Sequence, residues 1–147
     1  MKKYAYLLLL LTGLTTISCS KDDEAAAPAS QVVNLTATLD GKQQVPANNS
    51  PGTGTLVGTY DKTTRVITYT IEFQNMTAAP SLGHFHQGAP GVSSSVIVPF
   101  SGLTSPIKGS ATLSQTDGDK LLAQGVYANL HSSNFPQGEL RGDIKVK

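Results

Sequence analysis

The chain has 147 residues, a formal net charge of +1 and 14% charged residues, with 14 glycines, 8 prolines and one cysteine. That length supports one domain with a core of its own. The near-neutral balance lacks the basic patch of a nucleic-acid binder, and a lone cysteine excludes an internal disulfide.

The N-terminus reads as an export signal over residues 1–18. Lys2 and Lys3 open it, Tyr4 to Leu14 is apolar, and small residues approach Cys19. The apolar run is shorter than the roughly 20 residues of a spanning helix, which favours a cleaved peptide over a transmembrane anchor. The string Leu14-Thr15-Thr16-Ile17-Ser18-Cys19 resembles a bacterial lipobox, with Thr16 where Leu is more usual. The resemblance implies an outer-membrane lipoprotein of the cell envelope, held through acyl chains such as palmitate on Cys19. Several chains, at about 0.8 kcal/mol per buried methylene, anchor durably where one does not. The alternative is a plain secretory peptide with an incidental thiol.

Residues 19–31 carry Pro28, small residues and little apolar surface, the composition of a flexible tether spanning on the order of 20 Å. The run Lys21-Asp22-Asp23-Glu24 resembles the signal by which some Gram-negative bacteria export lipoproteins to the cell surface; the alternative is a solvated linker. Cleavage at Cys19 takes two of the 11 basic residues and none of the 10 acidic ones, so the exported chain stays near neutral.

Residues 32–147 read as one all-β domain. Val33 to Leu39 alternates, with Leu35, Ala37 and Leu39 on one face. Thr53 to Tyr60 and Arg65 to Phe73 form a hairpin across the polar turn at Asp61-Lys62-Thr63-Thr64. In its second strand Ile67, Tyr69, Ile71 and Phe73 share a face. Further strands are expected at Leu82 to His86, Val96 to Phe100, Gly109 to Leu113, Val126 to His131 and Glu139 to Val146. The last alternates Glu139, Arg141, Asp143 and Lys145 with apolar residues, a charged face suited to a sheet edge. Asp119 to Gln124 allows one helical turn at most. These elements predict an antiparallel, Greek-key-like β-sandwich of about eight strands.

The three histidines fall in two segments. In Gly83-His84-Phe85-His86-Gln87-Gly88-Ala89-Pro90-Gly91, strand alternation puts His84 and His86 on one face, and the glycine turn reverses the chain or offers amides to an anion. In the segment from Tyr127 to Gly142, Tyr127, Asn129 and His131 share a face. Past the turn Phe135-Pro136-Gln137-Gly138, Glu139 and Arg141 share one opposite Leu140.

These two strings resemble the signatures of the CHRD domain, a module named for its occurrence in chordin and found in bacterial secreted proteins. Leu39-Asp40-Gly41-Lys42-Gln43-Gln44-Val45-Pro46 resembles its opening segment, and Thr53-Gly54-Thr55 with the Ile67 to Phe73 strand also fits. The resemblance covers about residues 32–146, with Gly83 where an alanine is more usual. It implies an extracellular binding protein and no particular activity.

Two functions are expected. The first is a membrane-tethered, non-enzymatic binding or adhesion module for an extracellular protein or glycan, since no complete catalytic set is present. The second is a small metalloprotein, with His84, His86 and His131 holding Zn or Cu and Glu139 as fourth ligand or orienting carboxylate. Against the metal stands a purely structural use, with neutral imidazoles pinning loops and Tyr127, Asn129 and Arg141 completing a polar layer. His84-Phe85-His86 is similar to the copper/zinc superoxide dismutase motif, yet that enzyme needs more histidines than this chain has. No Gly-x-Ser-x-Gly elbow supports hydrolysis. Arg141-Gly142-Asp143 falls within a strand and reads as structural, and three Asn-x-Ser/Thr matches read as chance.

Overall fold

The computed structural model describes residues 31–147; the signal, Cys19 and nearly all of the tether lie outside the described residues. Nine strands and one helix follow in order: β1 (Val32–Asp40), β2 (Thr53–Asp61), β3 (Val66–Gln74), β4 (Pro80–Gln87), β5 (Val96–Pro99), β6 (Ile107–Thr112), α1 (Gln115–Leu122), β7 (Val126–Ser132), β8 (Leu140–Asp143) and β9 (Lys145–Val146). No described helix is long and apolar enough to cross a membrane.

The strands form one antiparallel sheet in the order β5-β4-β7-β8-β1-β2-β3-β6, with β9 also on β1. This sheet curls until it is nearly closed, so the expected sandwich is closer to a barrel. The strands at its two ends, β5 and β6, are consecutive in the chain.

Inside, period two does the work. Leu35, Ala37 and Leu39 of β1 meet Leu56 and Tyr60 of β2 and Ile67, Tyr69 and Ile71 of β3, all buried. The rings of Tyr69, Phe85 and Phe100 join β3, β4 and the segment after β5, with centroids 4.8–5.4 Å apart. The β2–β3 hairpin forms as expected. The Asp61 carboxylate accepts from the amides of Thr63 and Thr64, which holds it below the ordinary carboxyl range.

Two expectations change. The helix spans Gln115–Leu122 rather than a turn at Asp119 to Gln124. Ser114 caps it, accepting from the Asp117 amide while its hydroxyl donates to the Asp117 carboxylate. Gln124, at a φ of 58°, ends it as Gly125 N–H reaches Lys120 O. Gly118 weakens the local helical signal, but a Cβ there would sit 2.0 Å from the Tyr60 hydroxyl, so the helix packs only with glycine.

The last strand is also different. It is not a charged edge but an interior strand, β8, between β7 and β1, and the chain breaks at Ile144 before β9. Glu139 and Arg141 are buried, at 0% and 1% exposure.

Candidate metal centre

Strand pairing assembles the centre. On β4, Gly83 and Phe85 face the core while Leu82, His84 and His86 face outward, and β7 lies alongside with Leu82 opposite His131, His84 opposite Asn129 and His86 opposite Tyr127. β8 continues the face by setting Arg141 opposite Asn129 and Asp143 opposite Tyr127. Residues far apart in sequence thus share one polar face of the sheet, on which Tyr127, Asn129 and Arg141 are buried and the histidines partly so.

His84 stands between the other two imidazoles. Its ring centroid is 5.4 Å from that of His86 and 5.2 Å from that of His131, both edge-on. One ring nitrogen from each histidine lies within 4.8 Å of the others. Such atoms sit within about 2.8 Å of a common centre, against about 2.0–2.1 Å for a zinc–imidazole bond, so ring shifts under about 1 Å close the shell.

Hydrogen bonds decide which nitrogens are offered. His86 Nδ1 lies 2.9 Å from the Ser94 carbonyl, and His131 Nδ1 lies 2.9 Å from the Pro136 carbonyl. A carbonyl only accepts, so both Nδ1 atoms carry a proton, and in the neutral tautomer this selects, the lone pair lies on Nε2. Backbone acceptors of this kind orient ligating histidines in metal sites generally. His84 Nδ1, His86 Nε2 and His131 Nε2 are buried without any hydrogen-bond partner. Burial lowers the pKa of His84, and the charges of His131 and His86 lower it further. His86 is lowered mainly by burial, with the Ser94 bond opposing and His131 and Arg141 adding to the shift. Both rings are therefore held as neutral bases.

A second layer supports the first. The Tyr127 ring lies parallel to His86, and the Arg141 guanidinium sits 3.6 Å from the Tyr127 ring centre. Arg141 donates to the Asp143 carboxylate at 2.9 Å and to the carbonyls of Val92 and Ala89 at 3.0 and 2.9 Å. The turn after His86 therefore offers carbonyls to a cation, not amides to an anion. The Gly88 amide is engaged by the Gly125 carbonyl. Gly88 itself, at a φ of 141°, would place a Cβ 2.5 Å from the Val92 oxygen. Asn129 accepts from the Gln44 amide at 2.8 Å, joining the β1–β2 connection to the polar layer.

Glu139 does not join the histidines. Its carboxylate accepts from Ser50 Oγ and the Thr77 amide at 2.6 Å each, and from Ser132 Oγ. Burial pushes its pKa up, but the bonds from Ser132, Ser50 and Thr77 outweigh that and hold it below the ordinary value. It is a buried tie between three chain segments. No Glu139–Arg141 pair forms; the partner is Asp143, two positions along the same strand and so on the same face, a spacing the sequence displays. Ser50, Thr77, Ser94 and Pro136 carry no comparable sequence signal.

The family model of the CHRD domain matches residues 35–144. No curated protein and no solved structure matches the chain. Because that span runs from β1 through β8 and contains both histidine segments, the chain belongs to the CHRD domain family.

Proposed function

We propose that this CHRD domain is a metal-binding module of the cell envelope that holds one zinc or copper ion on His84, His86 and His131. The observation carrying the reading is the set of three buried, unpartnered ring nitrogens, one per histidine. A buried acceptor without a partner costs about 1–3 kcal/mol, and a single cation satisfies all three. Histidines used only as loop pins would spend both nitrogens on protein groups. Imidazole sets of this kind suit Zn²⁺ and copper. A lipid on Cys19 and the tether after it would keep the site outside the cytoplasm, at a membrane surface.

The test is metal analysis of full-length protein purified without chelator, followed by titration with Zn²⁺ and with copper. Near one equivalent of tightly held metal is expected, with His131→Ala and His131→Gln both losing it while keeping the far-ultraviolet spectrum of folded sheet. Folded wild-type protein that takes up neither metal overturns the reading and returns weight to the protein- or glycan-binding module.

A further inference from the structure

We infer that the ion this site selects is cuprous copper, Cu⁺, held by the three histidine nitrogens alone. The inference rests on the metal reading above and adds which ion, in which oxidation state, the site prefers.

The donor set comes first. The cluster contains three imidazoles and, among the described residues, no Asp, Glu or Cys. Histidine ligates as the neutral ring, so the set lends a bound ion no negative charge. The carboxylates that follow His131 in the chain are engaged elsewhere. Glu139 accepts from Ser50, Thr77 and Ser132, and Asp143 accepts from Arg141. The Arg141 guanidinium sits on the Tyr127 ring that stacks on His86, so the Asp143 charge balances Arg141.

Seclusion comes second. His84 Nδ1, His86 Nε2 and His131 Nε2 are each closed off from solvent. One cleft is lined by Gly88, Ala89, Val92 and Ser94, and another by Phe135 and Pro136; neither takes in a histidine. An ion seated between these nitrogens is therefore enclosed with three donors.

Ions differ in how they meet such a place. Zn²⁺ takes four ligands in protein sites and Cu²⁺ favours a tetragonal set, so both fall short here. Cu⁺, with a filled d shell and a single charge, is complete in a trigonal plane of three. Charge acts in the same direction. The cost of taking an ion out of water rises with the square of its charge, so a dication costs about four times as much as a monocation of like size. Three neutral rings in a secluded site discriminate against both dications.

The experiment titrates full-length protein with Cu⁺ under nitrogen, in ascorbate and against the chromophoric chelator bicinchoninate. Separate titrations use Zn²⁺ and Cu²⁺, each against a competing chelator. One equivalent of Cu⁺ is expected, bound at least about 100-fold more tightly than either dication. X-ray absorption of the Cu⁺ form should report three nitrogen neighbours. Asn129→Asp sets a carboxylate opposite His84 and keeps an acceptor for Gln44. That added charge should narrow the preference for Cu⁺ over Zn²⁺ by about tenfold. Zn²⁺ or Cu²⁺ bound as tightly as Cu⁺ overturns the inference, as does a fourth neighbour on Cu⁺, or a preference that folded Asn129→Asp leaves unchanged. The wild-type ratio decides even if that variant does not fold. Folded protein that takes up none of the three ions refutes the metal reading instead, so the two failures are told apart by metal content.

Discussion

The imidazole of His86 lies parallel to the phenol ring of Tyr127, the planes 3° apart and the centroids 4.9 Å apart. The ring that offers a lone pair to the cluster is thus held on one side by an aromatic face and at Nδ1 by the Ser94 carbonyl. Tyr127→Ala removes the face and the seat of Arg141, and is expected to destabilise the domain by about 3–5 kcal/mol and weaken metal uptake. Tyr127→Phe loses only a long bond from the Ser94 amide and should stay within about 0.5 kcal/mol of wild type. Chemical denaturation of both variants checks the pair.

Arg141 clamps the turn that carries Ser94. Arg141→Lys keeps the charge but cannot reach Asp143, Ala89 and Val92 together, so at least one of these acceptors loses its charged donor. A loss of about 2–3 kcal/mol is expected. Hydrogen exchange should show faster opening across residues 88–95 than across β1 to β3.

Glu139 gives the domain an acid limb. Its folded pKa lies below the ordinary 4.5, so as pH falls the unfolded chain binds the proton first. This part of the stability is complete above about 4.5 and is lost as pH falls through the folded value. Glu139→Gln should lower stability near neutrality by about 1–3 kcal/mol and flatten the acid limb, leaving the share from Asp61. Denaturant midpoints from about pH 6 to about pH 3 measure both effects.

Gly83 lies against the core face of β4. A Cβ there would come 2.6 Å from Phe100 Cδ2 and 2.8 Å from Leu130 Cδ2. Gly83→Ala is expected to cost about 1–3 kcal/mol, and adding Phe100→Leu should recover part of it. Thermal melts of the single and double variants measure the coupling. Phe100 fills the space that an alanine here would need.

Metal should stabilise the fold. At a free concentration about 100-fold above Kd the gain is about 2.7 kcal/mol. For a domain of this size that raises Tm by roughly 10 °C. A chelator should reverse the shift, and acidification should too, because protons compete for the same nitrogens.

Much of the fold was legible because it is local. β1 and β3 each bury one face, so Leu35 to Leu39 and Ile67 to Phe73 announce themselves by alternation. The same rule puts His84 and His86 on one side of β4. The placing of His131 beside them depends on the pairing of β4 with β7, which no local pattern encodes. The charges at and just before β8 misled for a related reason: besides nearby Ser132 and Asp143, Glu139 is satisfied by Ser50 and Thr77 and Arg141 by Ala89 and Val92, all four distant in sequence. Helix α1 was nearly hidden because Gly118, a poor helix residue, is required by the hydroxyl of Tyr60.

The carbonyls of Ser94 and Pro136 that orient two of the histidines belong to the main chain. No single replacement at either position deletes them, since every amino acid brings the same oxygen. The orientation of the site is therefore inherited with the path of two loops rather than with particular side chains. Mutational scanning should find Ser94 permissive for metal uptake, while shortening the loop by one residue should abolish it.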